Sequence, residues 1–222
     1  GTEALAAVGG STGQIANLIV NFFVGLASGA TVIIARYYGA KNKKDLNDTL
    51  HTAAALSLVG GILTSVIGIA ATPGMLRLMK TPDNVMADSR TYLSIYFAGI
   101  LFVFIYNVGS AILRAAGDSK RPLYFLIVCC FINIFLDIVL VVFFHMGVAG
   151  AAIATVVSQA VSAVLVILVL LRSTDMYRLI PRQIRFHKFL LISIITIGLP
   201  AGIQSVMYNI SNVLIQTSLN SL

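Results

Sequence analysis

Runs of roughly 18 or more uncharged residues recur along this chain, separated by short stretches where lysine, arginine and aspartate gather. Six runs read as helices. They extend from about Ala4 to Ala35, Leu50 to Ala71, Tyr92 to Leu113, Pro122 to Phe144, Val148 to Leu171 and Phe189 to Gln216. Each is long enough to cross a hydrocarbon core of about 30 Å. The pattern predicts an all-α, polytopic membrane helical bundle. "KTPDNVMADSRTYL" predicts a helix start on the outer surface that runs into the third span, with Thr81 as N-cap, Pro82 at the first helical position and Asp83 in the first turn. "ARYYGAKNKK" and "LRAAGDSKR" each place a glycine, Gly39 or Gly117, just past a helix end.

Composition agrees with the pattern. Of 222 residues, 58% are hydrophobic and only 10% charged, and the mean hydropathy is +0.94. A very apolar soluble bundle would lack the polar surface to cover such a core. The net charge of +7 raises nucleic acid as a partner, but the basic residues are sided. Twelve of the 15 lie in the loops after the first, third and fifth spans; only Arg77, Lys80 and Arg90 lie on the other side. That asymmetry puts the basic loops in the cytoplasm and Gly1 outside, and explains the charge without nucleic acid. The expected location is the cytoplasmic membrane, with the lipid bilayer as partner. Cys129 and Cys130 are adjacent inside an apolar run and read as packing residues. His51, His145 and His187 lie at different span ends with no ligand spacing, so no enzyme constellation is visible. The chain opens at Gly1 inside what reads as structure, which suggests a piece of a longer protein.

Lipid offers no hydrogen bonds, so polar side chains inside spans must face protein or water. Gln14, Asn17, Asn21, Gly25 and Ser28 share one face of the first span, and Gln204, Tyr208, Asn212 and Gln216 one face of the sixth. Tyr106, Asn107 and Ser110 cluster in the third. Each alone suits interhelical packing. Taken together, the stripes suggest a hydrated cavity, with Gln14, Asn17, Asn21, Tyr106, Asn107, Gln204 and Tyr208 as candidate lining.

Asp137 differs in kind. It stands in "FINIFLDIVLVVFF", while the other seven acids fall in loops or near span ends. Helical rise puts it about 22 Å from Pro122 and about 10 Å from Phe144, nearer the outer face. A carboxylate at the centre of a membrane helix costs about 2.5–3.5 kcal/mol to insert, so its presence points to function, the alternative being a static buried acid that hydrogen-bonds a neighbouring helix. Asn133 lies one turn earlier on the same face and can hydrogen-bond or co-ligate. Apolar surroundings favour the neutral acid and a nearby cation the carboxylate, so one group can exchange a proton or a sodium ion. The fifth span opens with small residues that permit close packing against the fourth, across a short turn. It brings Thr155 to a similar depth, where the hydroxyl can complete a site or bond its own helix backbone.

In "ALAAVG", "GLASGATVIIARYYGAKNKKD", "TPDNVMADSRTYL", "LRAAGDSKRP", "NIFLD", "GVAGAAIATVVSQ" and "GLPAGIQSVMYNISN", the chain resembles the multidrug and toxic compound extrusion (MATE) family, in the family's order and over nearly its whole length. The resemblance implies twelve helices in two six-helix lobes, of which the six here match helices two to seven. Residues 1–188 would then form most of the amino-terminal lobe with the inter-lobe loop, and 189–222 the first helix of the second lobe. It implies antiport of organic cations and amphipathic compounds against protons or sodium ions, with no other cofactor. The family's amino-lobe coupling site falls on Asn133, Asp137 and Thr155, with Tyr92 as a neighbour and sodium as a possible occupant at Asp137 and Asn133. A further acid, from the family's first helix, would complete it. Where the NorM-like branch carries a glutamate eight residues after the proline of "GLP", this chain has Tyr208, which favours a DinF-like or related branch. The alternative is a lipid-linked oligosaccharide flippase of the same superfamily. It would call for interior cations, and the spans here carry none.

Overall fold

The structure, a computed structural model, describes residues 11–78 and 81–219. Six long helices follow one another: α1 (Ser11–Gly39), α2 (Lys43–Leu78), α3 (Asp83–Ala115), α4 (Lys120–Asp137), α5 (Gly147–Arg172) and α6 (Lys188–Leu219). All six contain a stretch long and apolar enough to cross a membrane. The expected spans are therefore present, and several helices extend past them. At 36 residues, α2 is about 54 Å long, well beyond a core of about 30 Å.

α3 is the central helix and packs against α1, α2 and α5. Toward the cytoplasmic ends the core is built from Ile34, Leu46, Leu50, Ile112, Leu113, Val166 and Ile194. Nearer the outer side it consists of Ile15, Leu76, Leu93, Phe97, Ile100 and Phe104. α4 lies at the margin, paired mainly with α5, and exposes Leu123, Tyr124, Leu126, Phe131 and Phe135. The pairing of α4 with α5 follows from the short turn, in which His145 and Gly147 adopt positive φ of 54° and 56°.

α1 and α6 cross through glycine. A Cβ on Gly25 would strike the backbone of Gly202, and one on Gly29 the backbone of Gly198 and Ile194. Only glycine permits two helix backbones to approach so closely.

Two local expectations change. Thr81 is not the N-cap of α3: Pro82 takes that place with φ −59° and ψ 144°, and no side chain caps the helix. The Thr81 N–H instead reaches back to the Leu76 carbonyl at 3.1 Å, so Thr81 closes α2 and does not open α3. Gly117 does take the left-handed conformation past α3, at φ 89°. Gly39 does not; it ends α1, and Lys41 supplies the positive φ of 54°.

Candidate functional site

Asp137 is the last residue of α4 before the helix widens into a π-helical turn over Ile138–Phe143. The Phe144 N–H reaches Val139 five residues back, at 3.0 Å. Such turns are rare and often mark functional positions. Nothing in "IVLVVF" announces one, because each residue fits an ordinary apolar helix equally well.

The Oδ1 oxygen of Asp137 is buried and makes no hydrogen bond among the described residues. Polar atoms in protein interiors are almost always paired, so this oxygen is an exception, and it is the one carboxylate oxygen among the three unpartnered buried side-chain atoms of the described residues, the others being the Thr81 and Ser110 hydroxyls. Asn133 lies one turn away on the same helix face. Across from them stands Tyr92 of α3. Its hydroxyl faces the Thr155 side chain and lies within electrostatic range of Asp137. Thr155 donates its hydroxyl proton to the Ala151 carbonyl at 3.0 Å, a bond within its own helix. Tyr92 packs with Val85 and Val148 and lies nearly parallel to Tyr96, with ring centroids 6.3 Å apart.

Three helices thus bring Asp137, Tyr92 and Thr155 together near the outer face. The available donors are a carboxylate, hydroxyls and the Asn133 amide, all oxygen ligands suited to a proton or a small hard cation. Among the described residues, no three His, Cys, Asp or Glu side chains cluster as a metal site.

The cavity candidates are scattered. Asn17 is exposed and Asn21 half-buried, and the Gln14 side chain lies outside the described residues. Gln204 and Tyr208 are exposed. Gln204 stands about 200° around α6 from Gly202, which faces α1, so the stripes of α1 and α6 do not close on each other. On α1 the contact falls on Gly25, itself part of that helix's stripe, and on Gly29; on α6 it falls on Gly198 and Gly202. Tyr106 is buried and donates its hydroxyl proton to the Pro122 carbonyl at 2.9 Å, fastening α3 to the start of α4. That role fits interhelical packing better than the lining of a hydrated cavity. Asn107 donates to the Val103 carbonyl at 2.8 Å. It also borders an apolar void of about 30 Å³ with Phe23, Leu56 and Phe104, room for about one or two waters. Cys129 and Cys130 are free thiols, the first buried.

At the cytoplasmic end, a polar network that the sequence did not suggest fastens the loop between α5 and α6. His51 is fully enclosed; its Nδ1 donates to the Asn47 carbonyl at 2.6 Å and its Nε2 accepts the Ile180 N–H at 3.0 Å. Thr52 donates to the Asp48 carbonyl at 2.7 Å and accepts the His187 N–H at 3.2 Å. His187 Nε2 lies 3.4 Å from the Asp48 carboxylate. Asn47 donates to Gln183 at 2.9 Å, and the Tyr38 hydroxyl to Asp175 at 3.1 Å.

Comparison with known proteins follows from this geometry. The MatE family model matches residues 1–139. A probable multidrug resistance protein of Bacillus subtilis, YoeA, is 35% identical over 228 residues, which cover 99% of this chain and 49% of that protein. A second from the same organism, YpnP, is 31% identical over 221 residues, covering 100% of this chain and 49% of the relative. The solved inward-facing structure of a multidrug resistance MATE family transporter of the MOP superfamily overlays with a TM-score of 0.87 at 28% identity, over 95% of this chain and 48% of that one. The chain spans about half the length of the relatives it matches.

Proposed function

The chain belongs to the MatE family, and on that premise we propose that it supplies most of one lobe of an ion-coupled antiporter that exports organic cations or amphipathic drugs. In this reading, residues 1–188 form most of the amino-terminal lobe, residues 189–222 open the second, and the protein resides in the cytoplasmic membrane. Transport proceeds by alternating access between the lobes. With the cavity open outward, Asp137 takes up a proton or sodium ion. Its neutralisation changes how it interacts with Asn133, Thr155 and Tyr92, and substrate affinity falls. After the return inward the ion leaves and substrate rebinds. Coupling requires only that ion and substrate favour different states. The cavity candidates Gln14, Asn17, Asn21, Asn107, Gln204 and Tyr208 would meet substrate at the junction of the two lobes.

The observation that carries this reading is the unpaired, buried Oδ1 of Asp137 beside the Tyr92–Thr155 pair. A static structural acid would have found a hydrogen-bond donor. The test is substrate movement in proteoliposomes of the full-length protein, with pH and sodium gradients imposed one at a time. At least one gradient should drive it. Transport indifferent to both gradients would refute ion coupling.

A further inference from the structure

We propose that the cytoplasmic cleft between α4 and α5 binds the phosphate-bearing headgroup of an anionic glycerophospholipid from the inner leaflet. The two helices are held together at their outer ends by the turn around His145. At the other end each is tied to a different neighbour. Tyr106 fastens the start of α4 to α3, and the Tyr38–Asp175 bond draws the loop after α5 toward α1. Between them lies a cleft of about 670 Å³.

Its lining is graded as an amphiphile is. At the water side stand Arg121, in the first turn of α4, and Arg172, in the last turn of α5. Deeper toward the membrane centre the walls are Phe125, Leu165, Leu168 and Val169. Arg172 makes no ion pair among the described residues. Arg121 bonds Asp118 through Nε at 3.2 Å, which leaves its two terminal amino groups for a phosphate. One carboxylate, Asp175, also borders the cleft. Its oxygens already accept the Tyr38 hydroxyl at 3.1 Å and the Met176 N–H at 2.6 Å.

A free anion would have no use for the apolar half of the cleft, and an apolar molecule none for the guanidinium groups. A basic pocket between helix ends on the cytoplasmic side matches an anionic headgroup with its acyl chains along the helices. Leu168, a wall of the cleft, is itself exposed and supplies that surface. At 100° per residue, Arg121 and Phe125 lie about 160° and 120° around α4 from Asp137. The cleft therefore opens on a different face from the ion site.

The test is native mass spectrometry of the full-length protein released from nanodiscs of phosphatidylcholine with phosphatidylglycerol. The wild type should retain phosphatidylglycerol preferentially. Arg172→Gln should reduce that retention about five-fold, roughly one charge contact, while Arg172→Lys keeps part of it. Arg77→Gln, on the opposite membrane side, should change nothing. Equal retention of the two lipids by the wild type would overturn the proposal, even if a variant fails to fold. So would retention unaltered in the folded Arg121→Gln/Arg172→Gln protein, or displacement of the lipid by inorganic phosphate, which would indicate a soluble-anion site. The readout is lipid retention, so it stands or falls apart from ion coupling.

Discussion

The cytoplasmic end of the bundle and the site around Asp137 treat polar groups in opposite ways. At the cytoplasmic end His51 uses both ring nitrogens, and Thr52 both donates and accepts. Near the outer face, the Oδ1 of Asp137 is buried and unpaired among the described residues. Polar groups placed for stability come with partners, because an unmade hydrogen bond in a buried site costs about 1–3 kcal/mol. A lone acid held in such a place offers a site to an incoming ion. The first region therefore serves architecture, fastening the loop between α5 and α6 to α1 and α2, and the second has the character the proposed exchange requires.

Stability measurements can break that comparison. The largest effect should come from His51→Ala, which strands the Ile180 N–H and leaves a cavity. A loss of about 2–4 kcal/mol is expected, read as a lower thermal midpoint in detergent. Thr52→Val preserves shape but removes the hydroxyl between Asp48 and His187, for a loss of about 1–2 kcal/mol in the same assay. Asp137→Asn should have the smallest effect, a stability unchanged or raised by no more than about 1 kcal/mol, since no native hydrogen bond to Oδ1 is lost. A strongly destabilised Asp137→Asn protein would mean the acid is structural and would erase the contrast.

Much of this was legible in the sequence, for identifiable reasons. The spans and their orientation follow from uncharged runs and sided lysines and arginines, signals that lipid imposes locally. Asp137 stood out because a carboxylate amid "FINIFLDIVLVVFF" is costly, and Asn133 followed from helix spacing. What escaped depends on distant partners. His51 and Ile180 are 129 residues apart, and nothing near either one announces the other. Gly29, Gly198 and Gly202 looked like ordinary small residues, and Gly25 like one member of a polar stripe, until the crossing of α1 and α6 gave them a task. Thr81 had the composition of an N-cap, yet its backbone closes the preceding helix. The π-helical turn has no compositional signature at all.

The most direct measurement compares wild type and Asp137→Asn, full length in proteoliposomes, in two modes: gradient-driven efflux and substrate exchange at equilibrium. Exchange requires the cavity and the alternating lobes but no net ion movement. The account predicts that Asp137→Asn keeps exchange, at a higher substrate concentration because its neutral side chain mimics the low-affinity state, and loses gradient-driven efflux. Undiminished gradient-driven efflux by that variant would contradict it.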